Sequence, residues 1–217
     1  MRQEKKLEGL KVLITAGPTY ESIDPVRFIG NRSSGKMGIA LANCAYASGA
    51  DVHLVCGPTH LQPEDGVHLT RVDSAQEMFD SCKALFESMD VVIFAAAVAD
   101  YRPENVAVHK LKKSGNELNI KLVKNIDIAY ELGKLKTTQK NIGFALETEK
   151  GEMYAHQKRE KKNFDAIVLN TLNDQNQAFG ANQNKITIID NTQVLRYDSK
   201  PKTAVAIDII SYISALI

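Results

Sequence analysis

Short apolar runs rich in Val, Ile and Leu alternate along this chain with longer segments whose apolar residues fall at i, i+3/i+4 spacing. Leu10 to Ala16 (LKVLITA), Asp51 to Cys56 (DVHLVC), Val67 to Val72, Asp90 to Ala97 (DVVIFAAA), Asn141 to Leu146 and Asp165 to Thr171 (DAIVLNT) read as strands. Gly35 to Ser48, Ala75 to Met89, Ile126 to Leu135 and Glu152 to Asn163 read as the helices between them. Strands that alternate with helices in this way pair in parallel, which predicts an α/β, Rossmann-like parallel sheet flanked by helices on both faces. Ligands of such sheets lie beyond the carboxyl ends of the strands, so the segments after Ala16, Cys56, Ala97, Leu146 and Thr171 are the places to look for a site.

Two stretches depart from the alternation. Tyr20 to Arg32 is a long connection before the first helix, and Tyr101 to Lys124, ending in the alternating ELNIKLVK, reads as a β-flap standing off the sheet. Near the end, Lys185 to Asp190, the turn Asn191-Thr192-Gln193 and Val194 to Tyr197 predict a hairpin. Pro201 then sets the first turn of a C-terminal helix with apolar face Val205, Ile209, Ile213 and Leu216. No repeat or linker divides the chain, so residues 1–217 are expected to form a single domain with the flap at about 101–124.

With 27 Lys+Arg against 26 Asp+Glu, the net charge of +1 sets up no field that would hold nucleic acid or an anionic membrane surface. Cofactor-sized partners fit better. The 3 cysteines show no C-x-x-C spacing and suggest neither a metal site nor a disulfide framework. Met1 to Lys11 carries no apolar run for a signal peptide, and no stretch is long enough to span a bilayer, so a cytoplasmic location is expected.

Gly30 to Met37 (GNRSSGKM) almost spells a phosphate loop, but Met37 stands where the magnesium-binding hydroxyl would be, and the motif lies well downstream of the first strand. What survives is that Ser33, Ser34 and Gly35 open a helix whose free N–H groups favour a phosphate or carboxylate. Tyr130-x-x-x-Lys134 matches the catalytic pair of short-chain dehydrogenases, yet the loop Ala16-Gly17-Pro18-Thr19 lacks the glycine fingerprint that an NAD(P)-dependent oxidoreductase needs; Tyr130 is expected to pack on its helix and Lys134 to face solvent. Ala95 to Ala99 lets backbone approach a ligand closely, with Asp100 projecting one polar group there. Lys110, Lys112 and Lys113 in the flap and the helical neighbours Lys158 and Lys162 either converge on an anion or form solvated faces. Phe144, ending a strand, is either core or a surface for a base, and Asn173 to Gly180 is an amide-rich turn.

Taken in order, Gly17 to Gly38 (GPTYESIDPVRFIGNRSSGKMG), Ala95 to Pro103 (AAAVADYRP), HKLKK, VKNIDI, GFALET, QKREKKNFDAIVLN and the late amide loop resemble phosphopantothenoylcysteine synthetase, also called phosphopantothenate-cysteine ligase, over about Lys11 to Ile217. The resemblance implies a stand-alone bacterial ligase of coenzyme A biosynthesis. Its reaction activates the carboxylate of 4′-phosphopantothenate with a nucleoside triphosphate, losing pyrophosphate, after which the amine of L-cysteine displaces the nucleotide. CTP is the nucleotide expected of a bacterial member, ATP the alternative, and Mg2+ the cofactor that offsets the charge developing on pyrophosphate.

By the same resemblance Asn31 and Lys110 are the catalytic residues, the Asn31 amide orienting the acyl group and hydrogen-bonding its oxygen. Ala96, Ala97, Asp100, Lys110, Ile126, Asp127, Ile128, Ala129, Phe144, Lys158 and Lys162 bind the nucleotide, while Asn31, Ser33, Ser34 and Gly35 bind the acyl substrate. The flap acts as a lid over the reactive anhydride. Where the family often has Asn-Pro-Asp-Ile, this chain has Asn125-Ile126-Asp127-Ile128, which relaxes that turn. A homodimer exchanging flaps, and a separate phosphopantothenoylcysteine decarboxylase, complete the implied partners; a non-catalytic regulatory homologue would have lost Asn31 or Lys110.

Overall fold

A computed structural model describes residues 5–112, 115–147, 150–171 and 183–217. The strands are β1 (Lys11–Ala16), β2 (Tyr20–Ser22), β3 (Phe28–Gly30), β4 (Asp51–Cys56), β5 (His68–Arg71), β6 (Val91–Phe94), β7 (Tyr101–Pro103), β8 (Leu122–Lys124), β9 (Lys140–Glu147), β10 (Ala166–Thr171), β11 (Gln183–Asn184), β12 (Ile186–Ile189), β13 (Val194–Arg196) and β14 (Lys200–Pro201). The helices are α1 (Lys36–Ala47), α2 (Ala75–Phe86), α3 (Ile128–Leu135), α4 (Gly151–Lys161) and α5 (Lys202–Leu216).

The main sheet runs β13-β12-β10-β9-β6-β1-β4-β5. From β5 to β10 every pairing is parallel, and β12 and β13 add the expected hairpin antiparallel at the β10 edge. Numbered by parallel strand alone, the order is the doubly wound 3-2-1-4-5-6, whose winding reverses between β1 and β6 and opens a crevice there. Both faces are covered because the strands are apolar on both. Ile14, Leu54 and Ile93 pack with Leu41 of α1 and Val205, Ile209 and Ile213 of α5, while Leu13, Val92 and Leu169 pack with Met78 of α2, Leu132 of α3 and Ala155 of α4. Each such buried aliphatic contributes about 1.5–3 kcal/mol relative to exposure. Cys56 and Cys82 are part of this core, and the three thiols are free.

Several expectations are corrected. The strand expected through Ala97 is continuous only to Phe94: Ala96 N donates to the side-chain Oγ1 of Thr15 at 3.2 Å, and Ala97 rejoins as an isolated parallel bridge to Pro18, its N donating to Gly17 O at 2.8 Å. The connection from Tyr20 to Arg32 contains the hairpin β2–β3, with Tyr20 stacked on Phe28. Of the flap's alternating run only Leu122–Lys124 is strand, paired with Tyr101–Pro103 apart from the main sheet. Helix α3 begins at Ile128, not Ile126, because Asp127 caps it by accepting from Tyr130 N at 3.2 Å. The amide loop from Asn173 to Gly180 lies outside the described residues, as does Lys113.

Candidate active site

Two cavities open side by side at the carboxyl ends of β1, β6, β9 and β10, one of about 860 Å³ and one of about 450 Å³. Ala96, Val98, Asp100, Phe144 and Lys158 line both and so form their common wall. The larger also takes in Ile126, Asp127, Ile128, Ala129 and Lys162, and the smaller Asn31, Ser33, Ser34, Gly35 and Ala97. The residues singled out for the nucleotide and for the acyl substrate are therefore brought together in two adjoining spaces, with Lys110 the exception.

In the larger cavity the spacing of Lys158 and Lys162 has the expected effect, since Lys158 in the last turn of α4 and Lys162 at its C-cap are presented to the same space. Lys162 Nζ reaches the capping carboxylate of Asp127 at 2.7 Å, and Lys158 Nζ donates to the carbonyl of Phe144 at 2.8 Å. Burial lowers the Lys158 pKa from its ordinary 10.5 and Lys162 adds to the effect, against the pull of Glu147, Asp127 and Asp100. Phe144 packs against the core and also lines both cavities.

The smaller cavity is built on the start of α1. Gly35 takes φ +74°, a conformation other residues rarely adopt, no side chain caps the helix, and its first residues, Gly35 to Gly38, line the cavity. Gly38 lets α1 lie directly on β1, because a Cβ there would come within 2.4 Å of Ala16 Cβ. Two cations stand at this helix end. Lys36 lines the cavity beside Lys202, whose pKa is lowered by burial first and by Lys36 second. Lys202 is the first residue of α5, so a lysine sits at the positive end of a second helix. Such a concentration of positive potential suits an anion. Asn184, 5% exposed, also lines this cavity, and its Oδ1 has no hydrogen-bond partner among the described residues.

The Asn31 amide is oriented by the backbone that follows β6. Its Nδ2 already donates to Ala97 O at 3.3 Å and Val98 O at 2.9 Å, which leaves Oδ1, an acceptor, to meet a ligand.

Lys110 lies exposed on the flap and lines neither cavity. Its neighbour Leu111 is pinned to the β2–β3 hairpin: Leu111 N donates to Asp24 Oδ2 at 3.1 Å and Arg27 Nη2 donates to Leu111 O at 3.0 Å. The Arg27 guanidinium, with several backbone N–H groups, holds the Asp24 carboxyl well below the usual carboxylate range. Tyr130 does not pack as expected. It is 37% exposed at the rim of the larger cavity, with Lys134 Nζ 5.0 Å from its ring centroid.

Sequence reasoning missed Lys36, Lys202, Asn170 and Asn184 in the smaller cavity. Lys202 had a readable signal, a cation in the first turn of a helix against the dipole. Asn184 had none, since its two-residue strand has no period to read.

Fold and site together define a doubly wound α/β protein with a two-chambered crevice at its switch point, its smaller chamber lined by Lys36 and Lys202. The chain belongs to the family described as DNA/pantothenate metabolism flavoprotein C-terminal domain, whose profile matches residues 7–216. It is 47% identical over 99% of its length to a cysteine/cysteine sulfinic acid decarboxylase of an unknown prokaryotic organism, covering 60% of that protein. It is 47% identical over 91% of its length to the coenzyme A biosynthesis bifunctional protein CoaBC of Vibrio parahaemolyticus, covering 51% of it, so it spans about half the length of its bifunctional relatives. Among solved structures, the C-terminal domain of a coenzyme A biosynthesis bifunctional protein CoaBC matches with a TM-score of 0.85 at 41% identity, covering 98% of both chains. Among the described residues no helix is long and apolar enough to cross a membrane.

Proposed function

We propose that this chain is a cytoplasmic phosphopantothenate-cysteine ligase that joins 4′-phosphopantothenate to L-cysteine with CTP as co-substrate. The observation that carries the reading is the pair of adjoining cavities sharing Asp100, Phe144 and Lys158, one large enough for a nucleotide and the other ending on an uncapped helix flanked by Lys36 and Lys202. In the first step a carboxylate oxygen of phosphopantothenate attacks the α-phosphorus of CTP, the bond from that phosphorus to its bridging oxygen breaks, and pyrophosphate leaves. In the second the cysteine nitrogen attacks the acyl carbon, the acyl carbon–oxygen bond breaks, CMP leaves, and the amine proton passes to solvent.

The base of CTP enters the larger cavity against Phe144, while Lys158 and Lys162 meet its phosphates. The phosphate or carboxylate of the acyl substrate rests on the start of α1 through Ser33, Ser34 and Gly35. Asn31 Oδ1 accepts a hydrogen bond from the incoming amine and holds it against the acyl carbon. Asp100 offers the hard oxygen that Mg2+ prefers, beside the place given to the phosphates, and bound there the ion would neutralise the charge of the departing pyrophosphate.

The flap supports a homodimer. Val26 and Phe28 of the hairpin and Val106, Val108 and Leu118 of the flap are 51–82% exposed, a run of apolar surface that suits a partner. Lys110 sits on that surface, outside its own cleft, and in this reading enters the cleft of the other subunit to assist pyrophosphate departure. A phosphopantothenoylcysteine decarboxylase would consume the product. The test is to supply phosphopantothenate, cysteine and Mg2+ with CTP or ATP in separate reactions, following pyrophosphate and product mass. Both products with CTP alone support the reading, activity with ATP overturns the nucleotide preference, and silence with both overturns the ligase.

A further inference from the structure

At the end of the sheet opposite the crevice, Asp51, His53 and His68 meet at the amino ends of β4 and β5. Asp51 and His53 are two residues apart on one strand and so share a face, and the parallel register sets His53 directly beside His68 on that face. Asp51 Oδ1 lies 3.3 Å from His68 Nε2 and 3.7 Å from His53 Nε2, and the two imidazole rings stack with centroids 4.8 Å apart. One oxygen and two nitrogen donors thus fall within 4.8 Å of one another.

Tetrahedral coordination at bond lengths of about 2.0–2.1 Å puts ligand atoms about 3.3 Å apart, a spacing the two carboxylate–imidazole distances already approach. Small side-chain rotations would complete it, and the His68 side chain, 64% exposed, has room for them. Two imidazoles and one carboxylate suit a borderline-soft divalent ion of the zinc class; an alkaline-earth ion, which takes mostly oxygen, is a poor match.

We propose that Asp51, His53 and His68 bind a zinc-class divalent transition-metal ion, with solvent in the fourth position. The ion clips β5, the edge strand of the sheet, to β4 at the end far from the crevice. The site makes no use of the ligase chemistry and stands whether or not that activity is found.

The experiment is calorimetric titration of the chelator-stripped full chain with Zn2+, without nucleotide or phosphate. One saturable equivalent is expected, weakened at least tenfold by His68→Gln and by Asp51→Asn and unchanged by His60→Gln, an exposed histidine outside the cluster. Thermal unfolding gives a second readout, since an ion that binds only the folded chain raises Tm in the parent and not in His68→Gln. Absence of saturable binding, or equal affinity in the parent and His68→Gln, overturns the site; the second result would place the ion on the thiols or elsewhere.

Discussion

Lys158 Nζ is 2.8 Å from the carbonyl oxygen of Phe144, so the cation of α4 and the aromatic end of β9 are held as one unit between the two cavities. A half-buried lysine bonded to a neutral carbonyl, one helical turn from Lys162, lacks a full counter-charge, which is why its pKa falls. An incoming phosphate would supply that charge.

The first prediction concerns that charge. By linkage, a lysine with a depressed native pKa makes the free chain gain stability as pH rises from the depressed value toward 10.5, because the unfolded chain then holds the extra proton. Triphosphate affinity follows the charged form, so it is full below the depressed pKa and falls as pH rises through it. Lys158→Gln keeps the bond to Phe144 possible but removes the charge, and should weaken CTP binding about tenfold to a hundredfold, the worth of a charged hydrogen bond of ~1.5–3 kcal/mol. Equilibrium binding across pH checks both, and an unchanged affinity would remove Lys158 from the phosphate site.

The second prediction tests the floor of the site. Replacing glycine by alanine inside a helix ordinarily stabilises by ~1 kcal/mol. At Gly38 the sign should invert, because the added Cβ would meet Ala16 Cβ at 2.4 Å and Ala16 Cα at 3.0 Å. Overpacking of this kind costs ~1–3 kcal/mol, or about 2–4 °C in Tm for each kcal/mol in a chain of this size. Thermal unfolding of Gly38→Ala decides, and a raised Tm would show that α1 can lift from β1 freely.

The parallel sheet, its flanking helices and the terminal hairpin were legible because each run is long enough to show its period: β1, β4 and β10 fall almost where LKVLITA, DVHLVC and DAIVLNT put them. The ends of elements were not. Ala95 to Ala97 is apolar like the strand before it, and the bond of Ala96 N to the Thr15 side chain, which interrupts the ladder before the bridge of Ala97 to Pro18, is a tertiary contact. In the site, residues carried by long motifs converge as expected, from Ser33 to Lys162. Lys202 and Asn184 come from far along the chain and reach the smaller cavity only because α5 packs on α1 and β11 pairs with β14. The direction in which the Asn31 amide points depends on the carbonyls of Ala97 and Val98, which no sequence pattern encodes.

Those carbonyls give the third prediction. Asn31→Asp replaces an N–H donor by a carboxylate oxygen facing two backbone oxygens, so the side chain is repelled from the strand end and the acceptor that should position the amine is lost. Because the loss affects the second step, the acyl-nucleotide should still form and pyrophosphate should still appear in a first turnover, while the cysteine adduct falls about a hundredfold to a thousandfold, as for loss of one aligned catalytic group. Rapid quench with mass detection separates the two steps; normal adduct formation would take Asn31 out of the catalytic set.

The fourth prediction follows from Lys110 lying outside its own crevice while Asp24 and Arg27 fix the adjacent Leu111 in place. Held this way, the lysine is offered outward, and in the proposed dimer a complete site would take Asn31 from one chain and Lys110 from its partner. Lys110→Gln alone should suppress pyrophosphate release, and Asn31→Asp alone should block the adduct. Unfolded together and refolded as a mixture, the two inactive variants would form mixed dimers in which one crevice carries both substitutions and the other carries neither. Random pairing in a twofold dimer makes half of the dimers mixed, each with one intact crevice, so about a quarter of the parental activity should return. If Lys110 served its own chain instead, every crevice in every dimer would hold one substitution and the mixture would stay inactive. Size-exclusion chromatography of the mixture distinguishes that outcome from a failure to dimerise, because a chain that never pairs would elute as a monomer and would overturn the exchange of flaps itself.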